Sequence, residues 1–277
     1  MLHRQRVVLN LLARLPEPVT TSALSKLVFL LRCETDVAKL MNFYDFVLSE
    51  HGSHSFTLER EIVLLSEKGY VRIENHGTHI RPREVVGIER GGTEGPANYA
   101  LDWIVGRYAE KSTAYVERTV EGLTSNPRPI RQPTRAVYTA GYEGRSVDAF
   151  LNNLLAHGIA ELIDVRANPI SRKYGFHKSR LRQFCGRLGI IYTHLPALGI
   201  SSSVRANLSG KQSHKRLLYE YEVTMLPAKT REVDQLASRI QSRTCALMCM
   251  EARPEDCHRG KLARELSART GYQIEHI

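Results

Sequence analysis

From Ala136 onward, short apolar runs alternate with amphipathic segments, and this alternation constrains the fold more than any other feature of the chain. Strand-forming runs fall at Ala136–Ala140, Leu162–Val165, Ile190–His194, Cys245–Met250 and Tyr272–Ile277. Helical spacing separates them at Val147–Ala156, Ser179–Leu188, Arg216–Met225, Glu232–Ile240 and Arg259–Ala268. Strands separated by helices do not form hairpins. Each crosses over to a parallel neighbour, and the crossover helices cover both faces of the sheet. Residues 136–277 are therefore expected to form a Rossmann-like α/β domain, with its ligand site where the carboxyl ends of the strands converge.

The first half of the chain has a different rhythm. Val7, Val8, Leu11, Leu12 and Leu15 share one face of a helix over residues 3–15, stopped by Pro16 and Pro18. A second helix starts after Thr20 or Thr21 as cap, and a third spans Phe56–Lys68 with Leu58, Ile62 and Leu65 inward. Tyr70–Ile80 has the pattern of a hairpin turning around Asn75–Gly77. Helices followed by a hairpin are the order of a winged helix-turn-helix, so residues 1–122 are expected to be a mostly α domain of that kind. The segments Leu27–Leu31, Tyr44–Val47, His51-Gly52 and Ser55–Glu59 also resemble winged-helix modules of bacterial antitoxin-like and phage-defence proteins. Glu59, Glu61 and Glu67 face Arg60 and Lys68 on the third helix, a poor balance for reading DNA, so a protein-contact role stays open. Residues 97–122 are expected to form one long connector helix with Trp103 in the core. Residues 123–135, with Pro127, Pro129 and Pro133, are expected to form a linker.

A net charge of +10 and a pI near 9.5 point to a polyanionic partner. The charge is concentrated, because Val165–Tyr219 holds no Asp or Glu but carries Arg166, Arg172, Lys173, Lys178, Arg180, Arg182, Arg187, Arg205, Lys211, Lys215 and Arg216. DNA is the expected partner, either duplex with a flipped base or single-stranded. Five cysteines without a framework of spacings, no signal-peptide pattern and no apolar run of the roughly 20 residues needed to span a bilayer lead us to expect a cytoplasmic protein with reduced thiols and no membrane partner.

The first four strands of the second half end in chemically capable residues. They are Tyr142, Glu143 and Arg145 after the first, Asp164 and Arg166 after the second, and His194 at the third. The fourth is followed by Glu251, Cys257, His258 and Arg259. Four stretches, Thr139–Glu143, Asp164–Arg172, Tyr192–Gly199 and Met248–Glu251 continuing to Cys257-His258-Arg259, resemble the bacterial family called domain of unknown function 488. The resemblance covers residues 136–277. It implies a Rossmann-like domain with a polar site at the strand ends, and leaves the reaction open. Ala140 departs from the more usual Ile or Val before the glycine, which is a packing difference.

Asp164, Glu143 and Glu251 are the candidate catalytic carboxylates, assisted by Arg166 and Arg259. A carboxylate can activate water or stabilise an oxocarbenium ion, as hydrolysis of a glycosidic bond requires. Tyr142, Tyr174 and Phe176 are candidates for stacking on a flipped base. Arg145, Ser171, Arg172, Lys173, His177, Lys178, His194, Cys257 and His258 complete the candidate substrate-binding set. Zinc through Cys249, Cys257 and His258 lacks the support of a Cys-x-x-Cys pair, so neither metal nor cofactor is expected. The leading expectation is a DNA glycosylase, with a role in phage defence. The alternatives are a metal-dependent nuclease or nucleotide hydrolase, and a non-enzymatic DNA-binding or antitoxin-like regulator.

Overall fold

The computed structural model describes residues 1–49, 52–74, 79–82, 95–124, 135–201, 203–204 and 211–277, with the backbone alone at 211–213. The expected hairpin turn at Asn75–Gly77, the linker residues 125–134, His51 and Arg205 lie outside the described residues. The chain divides into two compact units, Met1–Pro127 and Arg128–Ile277.

The first unit contains α1 (His3–Arg14), β1 (Val19–Thr20), α2 (Thr21–Glu34), α3 (Val37–Leu40), β2 (Val47–Ser49), β3 (Gly52–His54), α4 (Phe56–Glu67), β4 (Val71–Glu74), β5 (His79–Pro82), α5 (Pro96–Tyr108) and α6 (Thr113–Thr124). The Thr20 side chain caps α2 by accepting from the Ala23 amide at 3.0 Å, and Ser55 caps α4 by accepting from Leu58 at 3.3 Å. β1, β5 and β4 form an antiparallel sheet in that order, and β2 pairs with β3 in a separate ribbon. Val7, Leu11, Leu31, Ile62, Leu65, Ile80, Leu101 and Ile104 belong to one core. Glu61 of α4 is buried there, gripped by Arg4 at 2.5 Å and by the Tyr44 hydroxyl at 2.6 Å.

Two expectations for this unit are corrected. Residues 97–122 form two helices, not one, because Ser112 restarts the chain by accepting from the Tyr115 amide. Trp103 is 52% exposed, with the Arg107 guanidinium 5.7 Å from its ring, so it is not a core residue. The apolar face of α5 is supplied by Leu101, Ile104 and Tyr108 instead.

The second unit runs β6 (Ala136–Gly141), α7 (Val147–Ala156), β7 (Glu161–Asp164), α8 (Lys178–Arg187), β8 (Ile191–His194), α9 (Lys211–Glu220) continued by a π-helical turn at Tyr221–Met225, α10 (Thr230–Ser242), β9 (Cys245–Cys249), α11 (His258–Thr270) and β10 (Gln273–His276). All five strands are parallel, in the order β10-β6-β9-β7-β8. The chain moves outward from β6 to β8 and then returns through β9 to β10. With right-handed crossovers this reversal puts α7 and α8 on one face and α10 and α11 on the other. Leu217, Leu218, Val233, Leu236, Ile240, Leu262 and Leu266 pack with Val137, Ile163 and Leu247 in one core. Phe150, Leu151 and Leu154 of α7 and Leu181 and Phe184 of α8 are among the buried residues of these helices. Among the described residues, no helix is long and apolar enough to cross a membrane.

Candidate functional site

The parallel register brings the ends of β6, β9, β7 and β8 to one edge. Gly141 lies opposite Cys249, and Asp164 lies opposite both Met248 and His194. The loops there are laced together, since the amides of Tyr142 and Glu143 both donate to the Met250 carbonyl, at 3.1 and 2.9 Å. Gly141 permits this closeness: a Cβ on it would fall 2.1 Å from the Glu251 carbonyl oxygen.

Asp164 is completely buried and its two oxygens are fully engaged. Arg166 donates to it from Nε at 2.8 Å, from Nη2 at 2.6 Å and from its backbone amide at 3.1 Å, and the Tyr192 hydroxyl donates at 2.5 Å. Burial alone would lower the Arg166 pKa, but the hydrogen bonds and charge of Asp164 outweigh it and hold the guanidinium well above its ordinary value. Burial and then the Asp164 charge push the Tyr192 phenol up, so it remains a donor. Arg166 extends the network by donating to the Tyr142 hydroxyl at 3.1 Å, and its carbonyl accepts from His194 Nε2 at 2.8 Å. His194 Nδ1 is thereby left to accept from the Lys178 ammonium at 3.0 Å.

This geometry corrects several expected roles. Asp164 and Arg166 do not face an open crevice, because they form a buried pair holding the loop after β7. Tyr142 and Phe176 are 4% and 0% exposed and stack on each other at 4.2 Å, so neither offers a free face to a base. Arg259, 1% exposed, donates to the carbonyls of Glu251 and Ala252 at 2.5 and 2.9 Å and clasps the loop after β9. Cys257 and His258 are buried beside it and present no surface to a substrate.

The open part of the edge is a rim. Glu143 is exposed, with Oε2 accepting from the Ala252 amide at 3.0 Å. Arg172, Lys173, His177, Arg180 and Arg182 are exposed, and Arg145, Ser171, Tyr174 and Lys178 are half-buried. The Lys173 ammonium donates to the Tyr142 carbonyl at 2.9 Å, and partial burial lowers its pKa against the pull of Glu143. Ser171 Oγ accepts from the Lys173 amide, and Tyr174 meets Phe184 edge-on with centroids 6.0 Å apart.

A second group lies between the end of β9 and the start of α11. Cys249 Sγ donates to Glu251 Oε2 at 3.2 Å, and the sulfurs of Cys249 and Cys257 lie 3.8 and 3.9 Å from His258 Nδ1. Burial opposes ionisation of Cys257, but hydrogen bonds with Cys249 and His258 prevail and draw its thiol below the ordinary range. The hydrogen bond with Cys257, then burial, holds Cys249 well above it. Burial would raise Glu251, yet its hydrogen bonds with Cys257, its own backbone and Cys249 keep it below the usual carboxylate range. Tyr192 was missing from the site expected on sequence grounds, and Cys249 entered there only as a zinc ligand that was not expected. Tyr192 carried a legible signal, since it lies two residues before His194 and so shares its face of the strand.

The unit is thus a parallel α/β domain whose strand-end loops carry a cationic rim over a buried Asp–Arg–Tyr network. Residues 146–266 match the family model described as domain of unknown function DUF488. The match starts beyond the Thr139–Glu143 stretch and stops before β10, so the resemblance rests on the greater part of this unit. No curated protein and no solved structure gives a significant match.

Proposed function

We propose that the protein acts on DNA, and that its α/β unit hydrolyses a base–sugar bond at the carboxyl edge of the sheet with Glu143 as the working carboxylate. One observation carries this reading: exposed Glu143 shares its loop with Tyr142, whose carbonyl is held by Lys173 of the exposed cationic rim. A grip for phosphates and an accessible anion therefore share one edge. As a base leaves, positive charge builds on the sugar, and a fixed carboxylate that stabilises this charge or activates water lowers the barrier. Half-buried Tyr174, which meets Phe184 edge-on, is the ring of the loop proposed to stack on a flipped base. Asp164, Arg166 and Tyr192 hold the loop in position.

We infer that the first unit is a winged-helix module. The element order, with the β4–β5 hairpin following α4 and β1 pairing to β5, supports it. Glu59, Arg60, Val63 and Glu67 lie on the less buried face of α4, and two acids in four suit a protein contact better than a phosphate backbone. The DNA grip in this reading belongs to the α/β unit.

Single-turnover reactions on phage and plasmid DNA test the proposal. Abasic sites are expected, and Glu143→Gln is expected to slow base release by roughly 10²- to 10⁴-fold while filter binding persists. Strand breaks that require an added divalent metal would make the protein a nuclease instead. Bound but chemically unaltered DNA would make it a binding protein.

A further inference from the structure

We propose that Cys249, Glu251, Cys257 and His258 form a site for a divalent, thiophilic transition-metal ion of the zinc class. The inference goes beyond the glycosylase reading and does not depend on it. A tetrahedral shell with zinc-like bond lengths places sulfur, nitrogen and oxygen donors roughly 3.5–3.8 Å apart. Here the sulfurs lie 3.8 and 3.9 Å from His258 Nδ1, the Cys249 sulfur lies 3.2 Å from Glu251 Oε2, and the ligand atoms of the two cysteines and the histidine are all within 4.8 Å of one another. The two sulfurs and Nδ1 are close enough to share one ion, and the Glu251 carboxylate lies against the Cys249 sulfur as an oxygen donor beside them.

The surroundings match what such an ion needs. His258 Nε2 donates to the Val165 carbonyl at 2.9 Å, which turns Nδ1 toward the sulfurs and orients it as an outer-shell partner does for a metal-bound imidazole. Cys249, Cys257 and His258 are 1–2% exposed, so the site is shielded from bulk solvent. Cysteines serving only as small core residues would have no use for an imidazole nitrogen and a carboxylate directed at them. Two thiolates, one carboxylate and a divalent ion leave one negative charge, beside which Arg259 clasps the Glu251 carbonyl at 2.5 Å. Binding exchanges two thiol protons for the metal and needs no oxidant or reductant. The donors come from the end of β9 and the start of α11, so the ion would tie these elements together and, through Val165, tie them to β7. With Glu251 as the fourth donor the shell would have no open position, as in a structural site.

The test uses the full-length protein, purified under reducing conditions. Elemental analysis after zinc-supplemented expression is expected to give one zinc per chain. Cobalt(II) added to the chelator-stripped protein is expected to give thiolate-to-cobalt charge-transfer bands and tetrahedral d–d bands saturating at one equivalent. Cys249→Ser and Cys257→Ser should each abolish the charge-transfer spectrum or cut its intensity by about half, whereas the Cys185→Ser/Cys245→Ser variant keeps it. The wild-type titration decides even where a variant fails to fold. Folded wild-type protein that takes up neither zinc nor cobalt overturns the proposal, as do cobalt bands that survive in a Cys249→Ser/Cys257→Ser protein. Formation of a Cys249–Cys257 disulfide in protein that binds no metal would assign the pair to redox chemistry instead.

Discussion

At the scale of single residues, burial decides what a carboxylate can do. Asp164 ends a strand, Glu143 follows one and both suit acid–base chemistry by type, yet Asp164 is completely buried under four donated hydrogen bonds and Glu143 is exposed. Removing the charge of Asp164 leaves the Arg166 guanidinium buried and uncompensated, a loss of about 3–5 kcal/mol. Asp164→Asn is therefore expected to lower the urea midpoint by an amount equivalent to that range, while Glu143→Gln stays within about 0.5 kcal/mol of the parent. An Asp164→Asn protein as stable as the parent would contradict the anchoring role. The Arg259 guanidinium, spent on two backbone carbonyls, shows the same reassignment.

Among the elements, α8 and the loop before it carry the exposed cations. Arg172 and Arg180 are better probes of DNA contact than Lys173, whose ammonium also holds the Tyr142 carbonyl. Each phosphate contact removed should reduce the log–log salt slope of binding by roughly 0.9 for duplex DNA. Arg172→Ala/Arg180→Ala is expected to weaken binding at low salt and flatten its salt dependence by up to about two such increments. Unchanged affinity and slope would remove this rim from the DNA interface. On α4 the charge balance read from sequence needs refinement, because Glu61 turns inward to Arg4 and Tyr44 and takes no part in the exposed face.

For the whole molecule, the division into two units has an energetic basis. Each unit encloses its own hydrophobic cluster, and about 150 residues suffice to bury most of a domain's apolar surface. A fragment starting at Arg128 is expected to unfold in urea as one cooperative transition, monitored by circular dichroism. A soluble fragment without such a transition would show that the α/β unit depends on the rest of the chain.

The alternation of apolar runs and helical segments from Ala136 was enough to place all five strands to within one residue at each end, and to make them parallel. A local pattern of period 2 or 3.6 is written in consecutive residues. The glycine of Thr139–Glu143 and the polar strand ends were legible for the same reason, as was the Ser55-capped helix α4. Three things were decided only in three dimensions: the burial of Asp164, the mutual stacking of Tyr142 and Phe176, and the meeting of Cys249, Glu251, Cys257 and His258. Each depends on which strands become neighbours and which loops close over them. Cys249 and Cys257 lie eight residues apart, across a turn between β9 and α11, so no local spacing rule brings their sulfurs to one imidazole. The fold does so by starting α11 beside the end of β9, where His258 also reaches the Val165 carbonyl after β7.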